Sequence, residues 1–140
     1  MKDMPQLGMG TFRLEAEQAR QAVSDALEVG FRHIDTAQFY GNESEVGDAI
    51  QTSGLKRADF FVTTKVWYES LGEDQFMASV HESLEKLKLE YVDLLLIHWP
   101  YPSNDITLES YLNRLKQAKK LGLARHIGVS NFTIDQLDQA

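Results

Sequence analysis

The fold class is decided by one stretch in the second half of the chain, Tyr91-Val92-Asp93-Leu94-Leu95-Leu96-Ile97-His98-Trp99-Pro100. Its nearly unbroken apolar run is the pattern of a β-strand that is covered on both faces, which favours a parallel sheet. Pro100 then turns the chain out of the strand, and His98 places a polar group at the strand's carboxyl end. This segment therefore predicts a buried parallel strand that delivers a side chain to the edge of the sheet.

Similar strand-like segments recur along the rest of the chain, each short and rich in β-branched or aromatic residues. Between them, apolar residues recur at three- and four-residue intervals, which is the spacing of a helix with one buried face. The predicted strands cover residues 6–10, 31–36, 60–66, 91–99 and 124–130. With the intervening helices the order is βαβαβαβαβα, and no linker interrupts it, which predicts a single α/β domain.

Local signals indicate where the helices begin and end. The first helix is predicted to stop at Gly30, the usual position of a helix-ending glycine. Two later helices are predicted to open with a capping box, in which two residues three positions apart satisfy each other's backbone N–H groups. These pairs are Asn42 with Glu45 and Thr133 with Gln136.

The composition argues against several classes of function. The chain has 140 residues, no Cys and a formal charge of −7, so it lacks the clustered cations that a nucleic-acid surface needs. Without Cys there are no disulfides or thiolate ligands, and no His, Asp or Glu cluster has metal-site spacing, so no metal is expected. The apolar runs are too short to cross a membrane. Residues 1–5 lack a signal-peptide pattern, which predicts a cytoplasmic protein.

Two architectures accommodate five βα units. A flavodoxin-like sheet has five strands and about this length, whereas a (β/α)8 barrel of the TIM type needs eight units, of which this chain would hold the first five. Polar residues at the strand ends favour the barrel, because barrel active sites lie where all the carboxyl ends converge. No Gly-rich phosphate loop follows the first strand, as an open nucleotide-binding sheet would require. The polar positions are Thr11, Asp35, Lys65, His98 and Ser130 with Asn131.

Three segments together resemble the signature sequences of the aldo-keto reductases. They are GFRHIDTAQFYGNESEVG at residues 30–47, DLLLIHWP at 93–100 and GLARHIGVSNF at 122–132. The resemblance extends from about residue 6 to the end of the chain. Within the family it is closest to the small bacterial 2,5-diketo-D-gluconate reductases, with methylglyoxal-like carbonyls as further candidate substrates. It implies an oxidoreductase that reduces aldehydes and ketones to alcohols with NADPH, reversibly.

The resemblance implies a catalytic tetrad of Asp35, Tyr40, Lys65 and His98. Tyr40 would give a proton to the carbonyl oxygen as a hydride reaches the carbon. A phenol holds its proton tightly in neutral solution, so a neighbouring cation that stabilises the phenolate is needed. Lys65 fits this role, and Asp35 would hold its ammonium in place. His98 would donate or orient a hydrogen bond at the developing oxyanion.

The resemblance also implies binding residues. Thr11 and Asp35 match positions near the nicotinamide ribose, and Ser130 with Asn131 matches the pair that binds the nicotinamide carboxamide. The substrate pocket would be lined by apolar rings that bury a small carbonyl compound. The matching positions are Phe12, Trp67 and Trp99. Phe12 stands where many family members have Trp, which affects the expected substrate range and leaves the chemistry unchanged.

The family's later strands normally supply a Gln beneath the nicotinamide, an aromatic ring stacked on it, and a basic segment for the 2′-phosphate. None of these is recognisable in residues 1–140, so the chain is expected to be the N-terminal part of a barrel, inactive alone. Its first and fifth strands would be unpaired edges through which it self-associates, whereas the complete parent would be a monomer. A binding or regulatory module with the same fold and no turnover is the alternative function.

Overall fold

The computed structural model describes residues 4–140. The signal-peptide prediction falls partly on residues 1–3, which lie outside the described residues. Three single turns of 3₁₀ helix, Gln38–Tyr40, Arg57–Asp59 and Tyr68–Ser70, connect the main elements. The strands and helices are β1 Met9–Gly10, α1 Ala16–Glu28, β2 His33–Asp35, α2 Glu43–Thr52, β3 Phe61–Val66, α3 Glu73–Leu87, β4 Val92–Ile97, α4 Leu108–Lys120, β5 Ala124–Val129 and α5 Ile134–Gln139.

The five strands form one parallel sheet in the sequential order β1-β2-β3-β4-β5. The strands of a (β/α)8 barrel follow one another around the wall in this way. A flavodoxin-like sheet has the order 2-1-3-4-5 instead. The predicted parallel sheet is therefore confirmed, and the flavodoxin-like alternative is wrong.

Strand β1 is shorter than predicted. Residues 6–10 were expected to be extended, but only Met9 and Gly10 pair, with Ile34 and Asp35 of β2. The chain bends at Gln6 and Leu7 instead of extending, and β2, predicted over residues 31–36, is itself limited to His33–Asp35, so the ladder between the two strands is short. This pairing still places Thr11, the residue after β1, beside the end of β2, where the Thr11 amide donates a hydrogen bond to the Asp35 backbone oxygen.

The core lies between the sheet and helices α1 to α4. All six residues of β3 are buried, and the four helices contribute apolar residues to the same cluster. Helices α2 and α3 approach closely at Gly47, where an added Cβ would lie 2.3 Å from the backbone oxygen of Lys86. A side chain there would push the two helices apart. The tightly packed strands β3 and β4 are those that carry Lys65 and lead into His98.

One of the two predicted capping boxes is absent. Helix α2 begins after Asn42 as expected, but the Asn42 side chain makes no capping hydrogen bond, because it reaches instead to the loop after β1. At α5 the capping box is confirmed: Thr133 Oγ1 accepts from the Gln136 amide, and the Gln136 side chain accepts from the Thr133 amide. The predicted Asn42–Glu45 box failed because a distant partner competed for the same side chain.

The sheet has two edges, β1 and β5. Strand β5 is only partly covered, with Ala124 as its one buried residue. Helix α5 has no buried residue, and its apolar side chains Ile134 and Leu137 are 77% and 52% exposed. Among residues 4–140, no helix combines the length and apolar character needed to cross a membrane.

Candidate active site

Lys65, in the buried strand β3, lies at the centre of a group of polar side chains. Its Nζ atom donates hydrogen bonds to Asp35 Oδ1 at 2.6 Å, to the Thr36 backbone oxygen at 3.0 Å and to Tyr40 Oη at 3.3 Å. The contact with Asp35 is also an ion pair. Since three oxygen atoms on three different residues surround the ammonium, its charge is held directly beside the Tyr40 hydroxyl.

Tyr40 ends the single turn Gln38–Tyr40 that follows β2. Gly41 comes next in a left-handed conformation, with φ of 68°, and this returns the chain toward α2. The centroid of the Tyr40 ring lies 5.1 Å from that of Phe12 and 5.6 Å from that of His98. The phenol is therefore enclosed by an apolar ring, an imidazole and the ammonium of Lys65.

His98 directly follows β4 and is buried. Its amide donates to the Val66 backbone oxygen at 3.0 Å, which extends the contact between β3 and β4 by one residue. Burial lowers the pKa of His98 below its ordinary value of 6.5, the charge of Lys65 lowers it further, and Asp35 opposes both effects. The imidazole is therefore mainly neutral in neutral solution, a state in which it donates one hydrogen bond and accepts another. Its Nδ1 atom is buried and has no hydrogen-bond partner within residues 4–140.

Ser130 and Asn131 follow β5 and lie next to His98. Asn131 adopts a left-handed conformation, with φ of 61°. Its side-chain nitrogen donates to the His98 backbone oxygen at 2.9 Å and to Ser130 Oγ at 3.1 Å. The Ser130 amide donates to the Ile97 backbone oxygen at 2.9 Å. These bonds fix the pair against the end of β4, while Asn131 stays exposed to solvent.

Thr11 belongs to a buried hydrogen-bond group around Asn42. The Asn42 side-chain nitrogen donates to the backbone oxygens of Thr11 and Leu14 at 2.8 and 2.9 Å. Its oxygen accepts from the Thr11 and Thr36 hydroxyls at 3.3 and 3.2 Å. Thr11 is fully buried, so its hydroxyl is engaged inside the protein. A contact between Thr11 and a nicotinamide ribose remains a prediction.

Aromatic rings form one wall beside Tyr40 and His98. The Trp67 and Phe39 rings are stacked, with centroids 4.1 Å apart and planes at 23°, and Trp67 meets the His98 ring edge-on at 5.3 Å. Phe12 lies on the other side of Tyr40 and is half exposed. Trp99 is 46% exposed, and its ring contacts no other aromatic ring within residues 4–140. The structure thus places Phe12 against the Tyr40 ring and Trp67 against the His98 ring, and it leaves Trp99 outside this cluster.

Several residues of this region were not predicted from the sequence. Phe39 and Gln38 sit in the turn beside Tyr40, and Glu43 is buried in the first turn of α2. The Thr64 hydroxyl donates to Glu43 Oε1 at 2.5 Å. Burial raises the pKa of Glu43, and hydrogen bonds from Thr64 and Ser83 partly offset the rise. The available signal for Phe39 was its position next to Tyr40. A Glu in the first helical turn is usually explained by the helix dipole alone.

The fold and the grouped side chains define a class of protein: a partial (β/α)8 barrel with a Tyr, Lys, Asp and His cluster where its strands end. Comparison with known proteins identifies the class more closely. The model of the "Aldo/keto reductase family" matches residues 6–140. The chain belongs to the aldo/keto reductase family, which confirms the resemblance seen in the sequence.

The chain is similar to named members of this family. It is 50% identical to "Methylglyoxal reductase DkgB" of Yersinia pestis, over 98% of this chain and 51% of the relative. It is 45% identical to "Morphine 6-dehydrogenase" of Pseudomonas putida, over 97% and 46%. A solved structure described as a putative 2,5-diketo-D-gluconic acid reductase B is 48% identical, with a TM-score of 0.94, over 99% of this chain and 48% of that one. The chain spans about half the length of the curated relatives it matches.

Proposed function

We propose that these residues form the catalytic part of an NADPH-dependent aldo-keto reductase that interconverts aldehydes or ketones and alcohols. The observation that carries the proposal is the position of Lys65 Nζ, which contacts Asp35 Oδ1 and Tyr40 Oη together, with the His98 ring beside the phenol. This arrangement places a cation and a hydrogen-bonding imidazole next to a proton donor, the Tyr40 hydroxyl, where the carbonyl oxygen of a substrate would bind. Reduction of a carbonyl group requires these three functions at its oxygen.

The proton resides on Tyr40 Oη before the reaction. As negative charge develops on the substrate oxygen, Tyr40 gives up this proton, and the phenolate that remains is stabilised by the adjacent Lys65 ammonium. Asp35 keeps the ammonium in position through the 2.6 Å contact. Because the pKa of His98 is lowered mainly by burial, its ring stays neutral and directs a hydrogen bond at the same oxygen. Tyr40 is then reprotonated from solvent.

The residues present fit a nicotinamide near the end of β5. NADPH, when bound, supplies the hydride that reduces the carbonyl carbon. The Asn131 side-chain nitrogen is already engaged with His98 and Ser130, so Asn131 presents its oxygen, an acceptor suited to the amide of a carboxamide. We assign Ser130 and Asn131 to that group, and Asp35, together with the backbone around Thr11, to the ribose side.

The substrate in this proposal is a small carbonyl compound held by Phe12, Trp67 and Trp99. Flat apolar walls bury such a molecule while offering few polar groups to select it. Relatives named for methylglyoxal and 2,5-diketo-D-gluconate reduction support this size class. We place the protein in the cytoplasm, since a chain without Cys needs no oxidising compartment.

We further propose that residues 1–140 supply the first five βα units of a complete barrel. The half-length match to relatives and the edges at β1 and β5 support this division. The complete barrel closes both edges and acts as a monomer, whereas the 140-residue chain alone binds NADPH weakly and self-associates through its exposed edges. Micromolar NADPH binding with turnover by the 140-residue chain would contradict this part of the proposal.

The experiment is an assay of NADPH consumption by the natural gene product that carries this sequence, with methylglyoxal and a panel of aldehydes. We expect turnover that disappears on Tyr40→Phe. The matched control is Tyr91→Phe, which removes only a phenolic hydroxyl that accepts a hydrogen bond from Arg125 near the opposite, amino-terminal end of β4; this variant should keep its activity. No turnover with any aldehyde would favour a binding or regulatory module that retains the fold.

A further inference from the structure

The side chain of Gln38 is held at three points by two other elements of the fold. Its Oε1 atom accepts a hydrogen bond from the Trp67 backbone amide at 2.9 Å. Its Nε2 atom donates to the Ser79 backbone oxygen and to Ser83 Oγ, both at 3.1 Å. Gln38 therefore connects the turn after β2 to the end of β3 and to helix α3.

There is a structural reason why the Trp67 amide donates to a side chain. Trp67 is the first residue beyond β3, at the point where the ladder between β3 and β4 ends with the His98 amide bonding to Val66. The Trp67 amide points away from that ladder and finds its partner in the Gln38 side chain. A buried or half-buried amide without an acceptor is costly, so this bond determines where the chain leaves β3.

The same residue fixes both members of an aromatic pair. Phe39 is joined covalently to Gln38, and Trp67 is joined to it by the amide hydrogen bond. Their rings are stacked at 4.1 Å, although Phe39 is 54% exposed. An exposed ring has several accessible rotamers. The hydrogen bond between Gln38 and the Trp67 amide keeps the two backbone segments at the separation that favours the stacked rotamer of Phe39.

We propose that Gln38 is a positioning residue that holds the Phe39–Trp67 pair as the substrate wall. The inference rests on the proposed function, because the pair is a wall only if a carbonyl substrate binds beside Tyr40. Gln38 acts through Phe39 and Trp67, since its own polar atoms contact Trp67, Ser79 and Ser83. Its hydrogen bonds to Ser79 and Ser83 fix it to the long helix α3, and this holds the Phe39–Trp67 pair in a constant position relative to that helix.

The proposal predicts a selective effect on substrate binding. Gln38→Met keeps the length of the side chain but removes all three hydrogen bonds. The KM for a bulky aromatic aldehyde should rise about tenfold, the change expected when one net hydrogen bond is lost. Because Tyr40, Lys65 and His98 keep their own contacts, kcat should change less than about twofold. A small dicarbonyl covers less of this wall than the bulky aldehyde does, so its KM should rise by no more than about twofold.

The test uses the natural gene product and two readouts. Amide hydrogen exchange at Trp67 reports directly on its hydrogen bond to Gln38. Steady-state kinetics with a small and a bulky aldehyde report the effect of this bond on substrate binding. Gln38→Glu keeps an acceptor for the Trp67 amide, but its second carboxylate oxygen would face the Ser79 backbone oxygen and the Ser83 hydroxyl, which also bonds to Glu43. Exchange at Trp67 should therefore be faster than in the unsubstituted protein but slower than in Gln38→Met. Gln21→Met is the matched control, because the Gln21 side-chain amide donates its hydrogen bond to Asp25 on the exposed face of α1.

Exchange at Trp67 about tenfold faster in Gln38→Met and accelerated less in Gln38→Glu, together with the selective rise in KM, would support the proposal. Unchanged exchange at Trp67 would overturn it, and so would equal losses with both aldehydes, because these indicate general damage to the fold. If the unsubstituted protein reduces no aldehyde, the proposed function fails separately. Exchange at Trp67 then still decides whether Gln38 holds the pair.

Discussion

The two halves of the candidate site differ in how firmly they are built. Lys65 lies in β3, which is paired on both sides and buried at all six residues. Ser130 and Asn131 follow β5, which is paired on one side and has one buried residue. The proposed proton-transfer group is therefore fixed by contacts within residues 4–140, whereas the proposed carboxamide pair lies at the open edge. The comparison teaches that the proposed proton transfer and the proposed cofactor contact depend on differently packed parts of the fold.

The largest expected effect is on the proton-transfer side. Lys65→Met keeps the length of the side chain but removes the charge beside Tyr40, so kcat of the natural gene product should fall by about 10²- to 10⁴-fold. The control is Lys88→Met, because Lys88 pairs with Asp48 at the surface. Its activity should stay within about twofold of the unsubstituted protein, since exposed ion pairs contribute little. Equal activity of the two variants would refute the role of Lys65.

The packing difference is tested by two matched truncations. Leu95→Ala in β4 removes a fully buried side chain, so the free energy of unfolding should fall by about 2–5 kcal/mol. Leu137→Ala on α5, where the side chain is half exposed, should change it by no more than about 0.5 kcal/mol. Urea unfolding of the 140-residue chain measures both. Similar losses in the two variants would mean that α5 is packed as tightly as the core.

Removing the hydrogen bonds of Asn42 should have an intermediate effect on the free energy of unfolding. Asn42→Leu leaves the backbone oxygens of Thr11 and Leu14 without their donor, and the free energy of unfolding should fall by about 2–3 kcal/mol. Asn113→Leu, at an exposed position of α4, is the control and should change it by at most about 0.5 kcal/mol. A small effect at both positions would show that water replaces the lost donor at Asn42.

The smallest expected effect is a pH dependence from His98. Its pKa in the folded protein lies below 6.5, chiefly because of burial and secondly because of Lys65. Between the folded pKa and 6.5, His98 binds a proton more readily in the unfolded chain than in the folded one. The stability associated with neutral His98 is therefore present above pH 6.5 and is lost as pH falls through the lower, folded pKa. As pH falls, the free energy of unfolding should therefore decline more steeply in the unsubstituted chain than in His98→Gln. Parallel curves would contradict the lowered pKa.

Much of the fold could be predicted because its signals are local. The apolar spacing of α1 to α4 and the continuous apolar run of β4 lie within one element each, and the Thr133–Gln136 capping box closes within a single turn. Asn42 was misread for the opposite reason, since its partners Thr11 and Leu14 are about thirty residues away. Sequence rules for capping consider only the hydrogen bonds that a side chain makes within its own turn. They do not include acceptors that the fold brings near from distant parts of the sequence.

The candidate site shows the same division. Asp35, Tyr40 and His98 were found because they lie in family motifs, and Lys65 was found because it is the polar residue at the end of a recognisable strand. The structure brings all four together. Gln38 and Glu43 were missed because their roles arise from contacts between β3, α2 and α3. Their side chains become informative only when the packing of these elements is known.

The central claim is that Tyr40 and Lys65 act as one unit in proton transfer. The most direct measurement is a double-mutant cycle of kcat in the natural gene product, with Tyr40→Phe, Lys65→Met and the combination. Residues that act as a unit give strongly non-additive losses, so the double variant should be about as inactive as the more damaged single variant. If the two losses multiply in the double variant, the residues act independently and the proposed mechanism is contradicted.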